Sequence, residues 1–191
     1  MKRNPGATAQ TKKNLVEAFW TLYCDKKMEH ISVKEITAKA GYNRSTFYEY
    51  FTDITDLLNK IEDSLFSKLK EGFSEAFPLD TNYDFVRKLA EVYDSEGKYF
   101  SVLLGINGDP AFAKKLKDVM RPFLLKAFDI STKDIRTKYL YEFGASAIIA
   151  TIAQWYQSKK DIPAEDFFPL LRSMLGDGVL KEILKLRRKG K

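Results

Sequence analysis

The chain has 191 residues, 45% of them apolar and 14% aromatic, with 10 Gly and 6 Pro, a composition that excludes disordered and collagen-like proteins. One cysteine (Cys24) and one histidine (His30) exclude a disulfide framework, a Cys-rich zinc site and most His-dependent catalysis. Thirty-two Lys and Arg against 26 Asp and Glu leave a net charge of +6, which favours a polyanionic partner.

The start, Met1 to Gly6, has no apolar run behind it, so no secretory signal is expected. The longest uncharged stretch, Phe143 to Ser158, falls short of the roughly 20 apolar residues that cross a bilayer. No membrane partner is expected, and the expected compartment is the cytoplasm. Strand signals are nearly absent, and helix signals fill the chain. Leu15, Ala18, Phe19, Leu22 and Tyr23 recur at helical spacing, behind a basic lead before Thr11 that is expected to be mobile. Ser32-Val33-Lys34-Glu35 forms a capping box, with Ile31 and Ile36 placed for a hydrophobic staple. That helix ends at Ala40-Gly41, where Gly41 can take the left-handed conformation.

A new helix starts at Asn43, a good N-cap residue. Phe47, Phe51 and Ile54 share its inward face, and Arg44, Ser45, Tyr48 and Glu49 lie on the other side. Thr52-Asp53 caps a longer helix from Ile54 to about Phe77, stopped by Pro78. Thr81 to Asp84 opens a helix that reaches about Leu104. Pro110 sits at the first position of the next, which runs to about Phe128 and should kink or split at Pro122. Ser131 to Asp134 caps a long helix to about Ser158, and Pro163 opens a last one, interrupted near Gly176-Asp177-Gly178. The expected architecture is all-α, about nine helices. Residues 1–53 form a three-helix unit with a helix-turn-helix, and residues 54–191 form a helical bundle. The two are joined through the Ile54–Phe77 helix.

Two short helices joined by a tight Gly-containing turn describe a helix-turn-helix. The second presents Arg44, Ser45, Tyr48 and Glu49 at a size that fits a major groove. The run Thr37 to Phe51, with Ala40-Gly41, Thr46, Tyr48, Phe51 and Leu57 in register behind an amphipathic first helix, resembles the DNA-binding signature of the TetR family of transcriptional regulators. The close match covers about residues 11–62. The resemblance implies that Arg44, Ser45 and Glu49 face base edges. It implies that Thr46, Tyr48 and Tyr50 touch phosphates or the groove wall, and that Ser32 and Lys34 meet the backbone or a flanking base. Arg44 can bond guanine bidentately, and Lys12, with Lys2, Arg3 and Lys13, can neutralise phosphate; Lys12-Lys13 can equally be a solvated helix start. Ile54 stands where the family commonly has a phosphate-contacting Lys, Asp53 and Asp56 flank it, and the loop Lys26 to Glu29 lacks the usual Gly.

The rest of the chain is rich in aromatics, including Phe66, Tyr93, Phe100, Phe123 and Trp155. Helices lined this way either fill a core or surround an apolar cavity. The resemblance adds small-ligand control, which makes those five the candidate ligand-binding residues. Gly144, Ala147 and Thr151 form a small-residue face of the long helix. With Phe167, Leu171, Met174 and Leu175 of the last helix they form a candidate four-helix dimer interface. Dimerisation suits a short recognition helix, because two related by a two-fold axis read a palindrome. The sequence therefore points to a homodimeric repressor of double-stranded palindromic operator DNA, released by a small apolar or amphipathic ligand. It has no catalytic, metal or cofactor motif. Two alternatives stand beside it: the same architecture controlled by a partner protein, and a ligand-binding or enzymatic helical protein with a vestigial helix-turn-helix.

Overall fold

The computed structural model describes residues 5–75, 82–105, 108–109, 111–127, 134–176 and 178. Among them lie eight α-helices, one short 3-10 turn (Met28–His30) and no strand. The helices are α1 (Pro5–Asp25), α2 (Val33–Ala40), α3 (Arg44–Tyr48), α4 (Ile54–Glu75), α5 (Asn82–Leu103), α6 (Phe112–Ala127), α7 (Ile135–Gln157) and α8 (Ala164–Gly176). The all-helical expectation is met. No helix of the described residues is long and apolar enough to cross a membrane. The expected stop at Pro78, the cap lead Ser131–Lys133 and the tail beyond Gly178 lie outside the described residues.

The chain divides into two compact units, Met1–Leu65 and Phe66–Lys191, with the division inside α4. In the first unit α1 packs on α2 and α2 on α3. Leu15, Phe19 and Tyr23 of α1, Ile36 of α2 and Phe47 of α3 are essentially closed to solvent, as are Phe51 and Leu57. Fully burying one such side chain stabilises by about 1.5–3 kcal/mol. The rings of Phe19 and Tyr23 stack at 5.3 Å, and those of Phe47 and Phe51 meet at 5.4 Å. The buried Phe47 and its packing on α2 hold α3, which at five residues is far too short to be helical alone.

Three local departures from expectation have physical causes. α1 begins at Pro5, not near Thr11, because proline presets the first helical φ and needs no N–H there. α6 continues through Pro122, although proline removes one ladder bond. Its flanks are held from outside: the Tyr141 hydroxyl donates to the Lys117 carbonyl, and Phe123 sits 6.3 Å from Phe73, ring to ring. Asn43 precedes α3 in extended conformation, but its side chain makes no capping bond.

In the second unit α5 packs on α7 and α8, α6 on α7, and α7 on α8. Trp155 anchors the α7–α8 corner. Its ring stacks on Phe167 at 4.2 Å, and its Nε1 donates to the Ile162 carbonyl at 2.7 Å. The chain leaves α7 through two consecutive left-handed residues, Lys159 (φ 54°) and Lys160 (φ 60°). Their amides cap the helix by donating to Tyr156 and Trp155 carbonyls.

Candidate nucleic-acid interface and apolar cavity

The turn between α2 and α3 is built from its residues with little freedom. At the start of α2 the Ser32 hydroxyl accepts from the Glu35 amide at 3.3 Å, and the Glu35 carboxylate accepts from the Ser32 amide at 2.9 Å. Lys26 adds an ion pair to the same carboxylate at 2.6 Å. Hydrogen bonds from Lys26 and Ser32 hold the Glu35 carboxyl down at about 2. At the other end Gly41 takes φ 77°, its amide donates to the Ala38 carbonyl, and the Tyr42 amide donates to the Thr37 carbonyl. This paired closure satisfies two carbonyls that the helix would otherwise leave open. Thr37 is buried, a position that sequence patterning did not single out; its hydroxyl donates back to Val33. The Tyr42 hydroxyl accepts from the Asn14 side chain at 3.0 Å, tying the turn to α1.

None of the nine sequence-selected DNA-contact residues is buried. Lys12, Ser32, Lys34, Arg44, Ser45, Tyr48 and Glu49 are exposed, and Thr46 and Tyr50 are half-buried. Phe47 and Phe51 point inward, while Tyr48 keeps 52% of its surface. Arg44 and Lys34 have no ion pair or hydrogen-bond partner for their side chains among the described residues. The Ser32 hydroxyl is engaged by the cap, donating to Glu35 Oε2 at 2.9 Å, so its part is to set the start of α2.

The start of α4 resolves the two acids that flank Ile54. Asp53 accepts from the Asp56 amide at 2.7 Å, and Asp56 accepts from the Thr52 amide at 3.0 Å. Lys60 pairs with Asp56 at 2.9 Å and donates to the Tyr50 carbonyl at 2.9 Å. Hydrogen bonds from Lys60 and Thr52 lower the Asp56 carboxyl, and the charge of Lys12 adds to this. The helix start thus carries its own carboxylate caps, and these occupy amides that a phosphate would otherwise use.

The second unit holds an apolar cavity of about 80 Å³, partly open to solvent. Leu69 and Phe73 of α4, Phe100 of α5, Met120 of α6, Ile148 of α7 and Phe168 of α8 are among its walls. Of the five aromatics selected from sequence, Phe100 lines it. Phe66 stacks on Phe112 at 5.4 Å, Trp155 closes the α7–α8 corner, and Phe123 lies against Phe73; none of these three is among the described wall residues. The side chain of Tyr93 lies outside the described residues. Spacing along one helix identifies a buried face but does not say which of its rings meets a void.

The candidate dimer residues separate in the same way. Met174 keeps 52% of its surface, and Ala147 and Thr151 are half-buried. Gly144, Phe167 and Leu171 are buried within the chain itself, and the side chain of Leu175 lies outside the described residues. Exposed beside Met174 in the second unit are Ile135, Tyr139 and Phe143 on α7, at 71%, 66% and 67%, and Leu170 on α8 at 47%. Their i, i+4, i+8 spacing was available in the sequence as a third apolar line on α7.

A helix-turn-helix with a free arginine on its outer face, followed by a separate helical unit with a cavity, defines a DNA-binding transcriptional regulator. The comparisons make the class specific. A family model described as bacterial regulatory proteins, tetR family, matches residues 21–61, and one described as transcriptional regulator C-terminal region matches residues 80–177. The chain belongs to the TetR family. A curated relative, the uncharacterized HTH-type transcriptional regulator YxbF of Bacillus subtilis (strain 168), is 26% identical over 156 residues, covering 78% of this chain and 39% of the relative. The chain therefore spans about two fifths of that relative's length. A TetR transcriptional regulator from Streptococcus agalactiae 2603V has a similar fold, with a TM-score of 0.67 at 23% identity over 88% of this chain and 95% of that one. A tetR-family regulator from Streptomyces coelicolor gives 0.65 at 19% identity over 93% and 89%. The matching family models are those of transcriptional regulators, so the enzymatic alternative is set aside.

Proposed function

We propose that the chain is a homodimeric repressor that reads a palindromic operator with α3 and leaves it when a small ligand enters the cavity of the second unit. The observation that carries this reading is Arg44: exposed, without a partner among the described residues, at the first position of a helix whose inner face is fixed by Phe47. Arg44, Ser45 and Glu49 take the base edges. Thr46, Tyr48 and Tyr50 take the groove wall, and Lys12 and Lys34 neutralise phosphate. Glu49 can accept from a cytosine amine, and Arg44 can donate to guanine, so the pair together can read one half-site.

The pairing surface is the exposed line Ile135, Tyr139 and Phe143 of α7, with Leu170 and Met174 of α8, against the same surface of a second copy. Large apolar side chains exposed at this density on two helices are the ordinary mark of an interface. The cavity favours small-ligand control over control by a partner protein, because its walls are almost wholly apolar side chains from five helices.

The test is selection of bound duplex from a random pool, followed by anisotropy titration of the enriched site across salt concentrations. A palindrome with a steep salt dependence is expected. Failure of the pool to enrich any sequence refutes the reading.

A further inference from the structure

We propose that the ligand of this cavity is an amphipathic monoanion with a carboxylate head, its tail among the apolar walls and its head on Lys117. This rests on the ligand-controlled reading above and narrows it. Among the described wall residues Lys117 is the one with a charged side chain. It stands on α6, and its Nζ pairs with Glu142 and lies 3.2 Å from the Ser146 hydroxyl, both on α7. Ser146 in turn donates to Glu142 at 3.1 Å.

The two partners differ in how they meet water. The Lys117 side chain retains 20% of its surface and Glu142 retains 60%. Glu142 can therefore swing into solvent at small cost, because ion pairs with an exposed partner contribute little. Lys117 cannot turn away as readily. Its backbone carbonyl accepts from the Tyr141 hydroxyl, and its stem lies against the cavity wall. Burial pushes the Tyr141 phenol up to about 12. Arg121 lies 5.4 Å from the Tyr141 ring centroid, with the charge of Asp118 also acting on that tyrosine. A carboxylate arriving through the opening takes the place of Glu142 on Lys117 and Ser146. Its tail finds Leu69, Phe73, Phe100 and Ile148. A cationic head meets Lys117 unfavourably, and a neutral head gains no charge-assisted bond.

The probes are octanoate, 1-octanol and octylamine, titrated into the full-length wild-type chain by calorimetry, with thermal shift alongside. Octanoate is expected to bind about tenfold or more tighter than octanol, the worth of a charge-assisted hydrogen bond, and octylamine weakest. Lys117→Met is expected to bring octanoate and octanol to equal affinity. Glu142→Gln frees Lys117 of its competitor and is expected to tighten octanoate alone. Equal binding of octanoate and octanol to the wild type, or an undiminished preference in Lys117→Met, overturns the carboxylate assignment and leaves a ligand cavity standing. No binding by any of the three overturns the assignment and the ligand-controlled reading together. A Lys117→Met variant that melts early is replaced by Lys117→Gln, judged by the same preference ratio.

Discussion

Replacing Arg44 with alanine separates reading from folding more cleanly than any other change in this chain. Arg44 is exposed at the start of α3 and carries no ion pair or hydrogen bond from its side chain among the described residues. Its loss should leave stability within about 0.5 kcal/mol of the parent, as for surface substitutions without a named contact. A bidentate bond to guanine contributes about 1–3 kcal/mol of discrimination. In the proposed two-fold pair the contact is made twice, so the loss on the operator is about 2–6 kcal/mol, or roughly 30-fold to twenty-thousandfold in affinity. The assay is anisotropy on the selected operator at several salt concentrations, with a thermal melt of the same sample. A base contact leaves the slope of log K against log salt almost unchanged, whereas Lys34→Ala should flatten it by about one charge per copy. Unaltered operator affinity with an unaltered melt refutes the placement of Arg44 on a base. A flattened slope moves it to the phosphates.

Gly41→Ala should destabilise by about 1 kcal/mol. A Cβ there meets nothing within 4 Å, so the cost is the left-handed backbone alone, and Gly41→Asn should cost less; equal stability of the alanine variant in a urea melt would contradict this. Glu35 has a folded carboxyl near 2 against an ordinary 4.5, so its stabilisation is present above about 4.5 and is lost as pH falls toward 2. The melting temperatures of wild type and Glu35→Gln should accordingly differ at pH 6 and converge near pH 2; a constant gap would count against the Lys26–Glu35–Ser32 arrangement. On the proposed pairing through α7, Phe143→Lys, at an exposed position, should leave a monomer in sedimentation equilibrium and weaken operator binding without lowering helix content. A persistent dimer would remove α7 from the interface.

The parts legible from sequence are those fixed by neighbours along the chain. The Ser32–Glu35 cap, the left-handed Gly41 and the inward Phe47 and Phe51 follow from spacing alone, because each is decided within one or two helical turns. Asp53 and Asp56 were visible as charges but not as reciprocal caps, since which amide a carboxylate takes depends on the path of the chain into α4. Phe167 and Leu171 look like an outward apolar pair on α8 until Trp155 is seen stacked on Phe167. The ring that covers Phe167 comes from another helix, and one helix's periodicity cannot say which of its apolar lines is covered. Lys117 was invisible for the same reason: it becomes special only where α6 brings it into the cavity wall and beside Glu142 of α7.

On the proposed ligand-controlled reading, control depends on α4, which supplies Leu57 and Leu58 to the first unit and Leu69 and Phe73 to the cavity of the second. A ligand shifts operator affinity only as far as it binds the two conformations of the protein differently. A tenfold release needs a difference of about 1.4 kcal/mol. One buried methylene contributes about 0.8 kcal/mol, so two methylenes that fit the cavity in the released form and not in the DNA-bound form are enough. Each added methylene that meets Leu69 or Phe73 should therefore deepen release by up to about fourfold, until the cavity is full. Across hexanoate, heptanoate and octanoate at saturation, operator affinity should fall stepwise. A flat series, with every member bound, would mean that the tail occupies the cavity without distinguishing the two states, and that α4 is not the element through which the ligand acts.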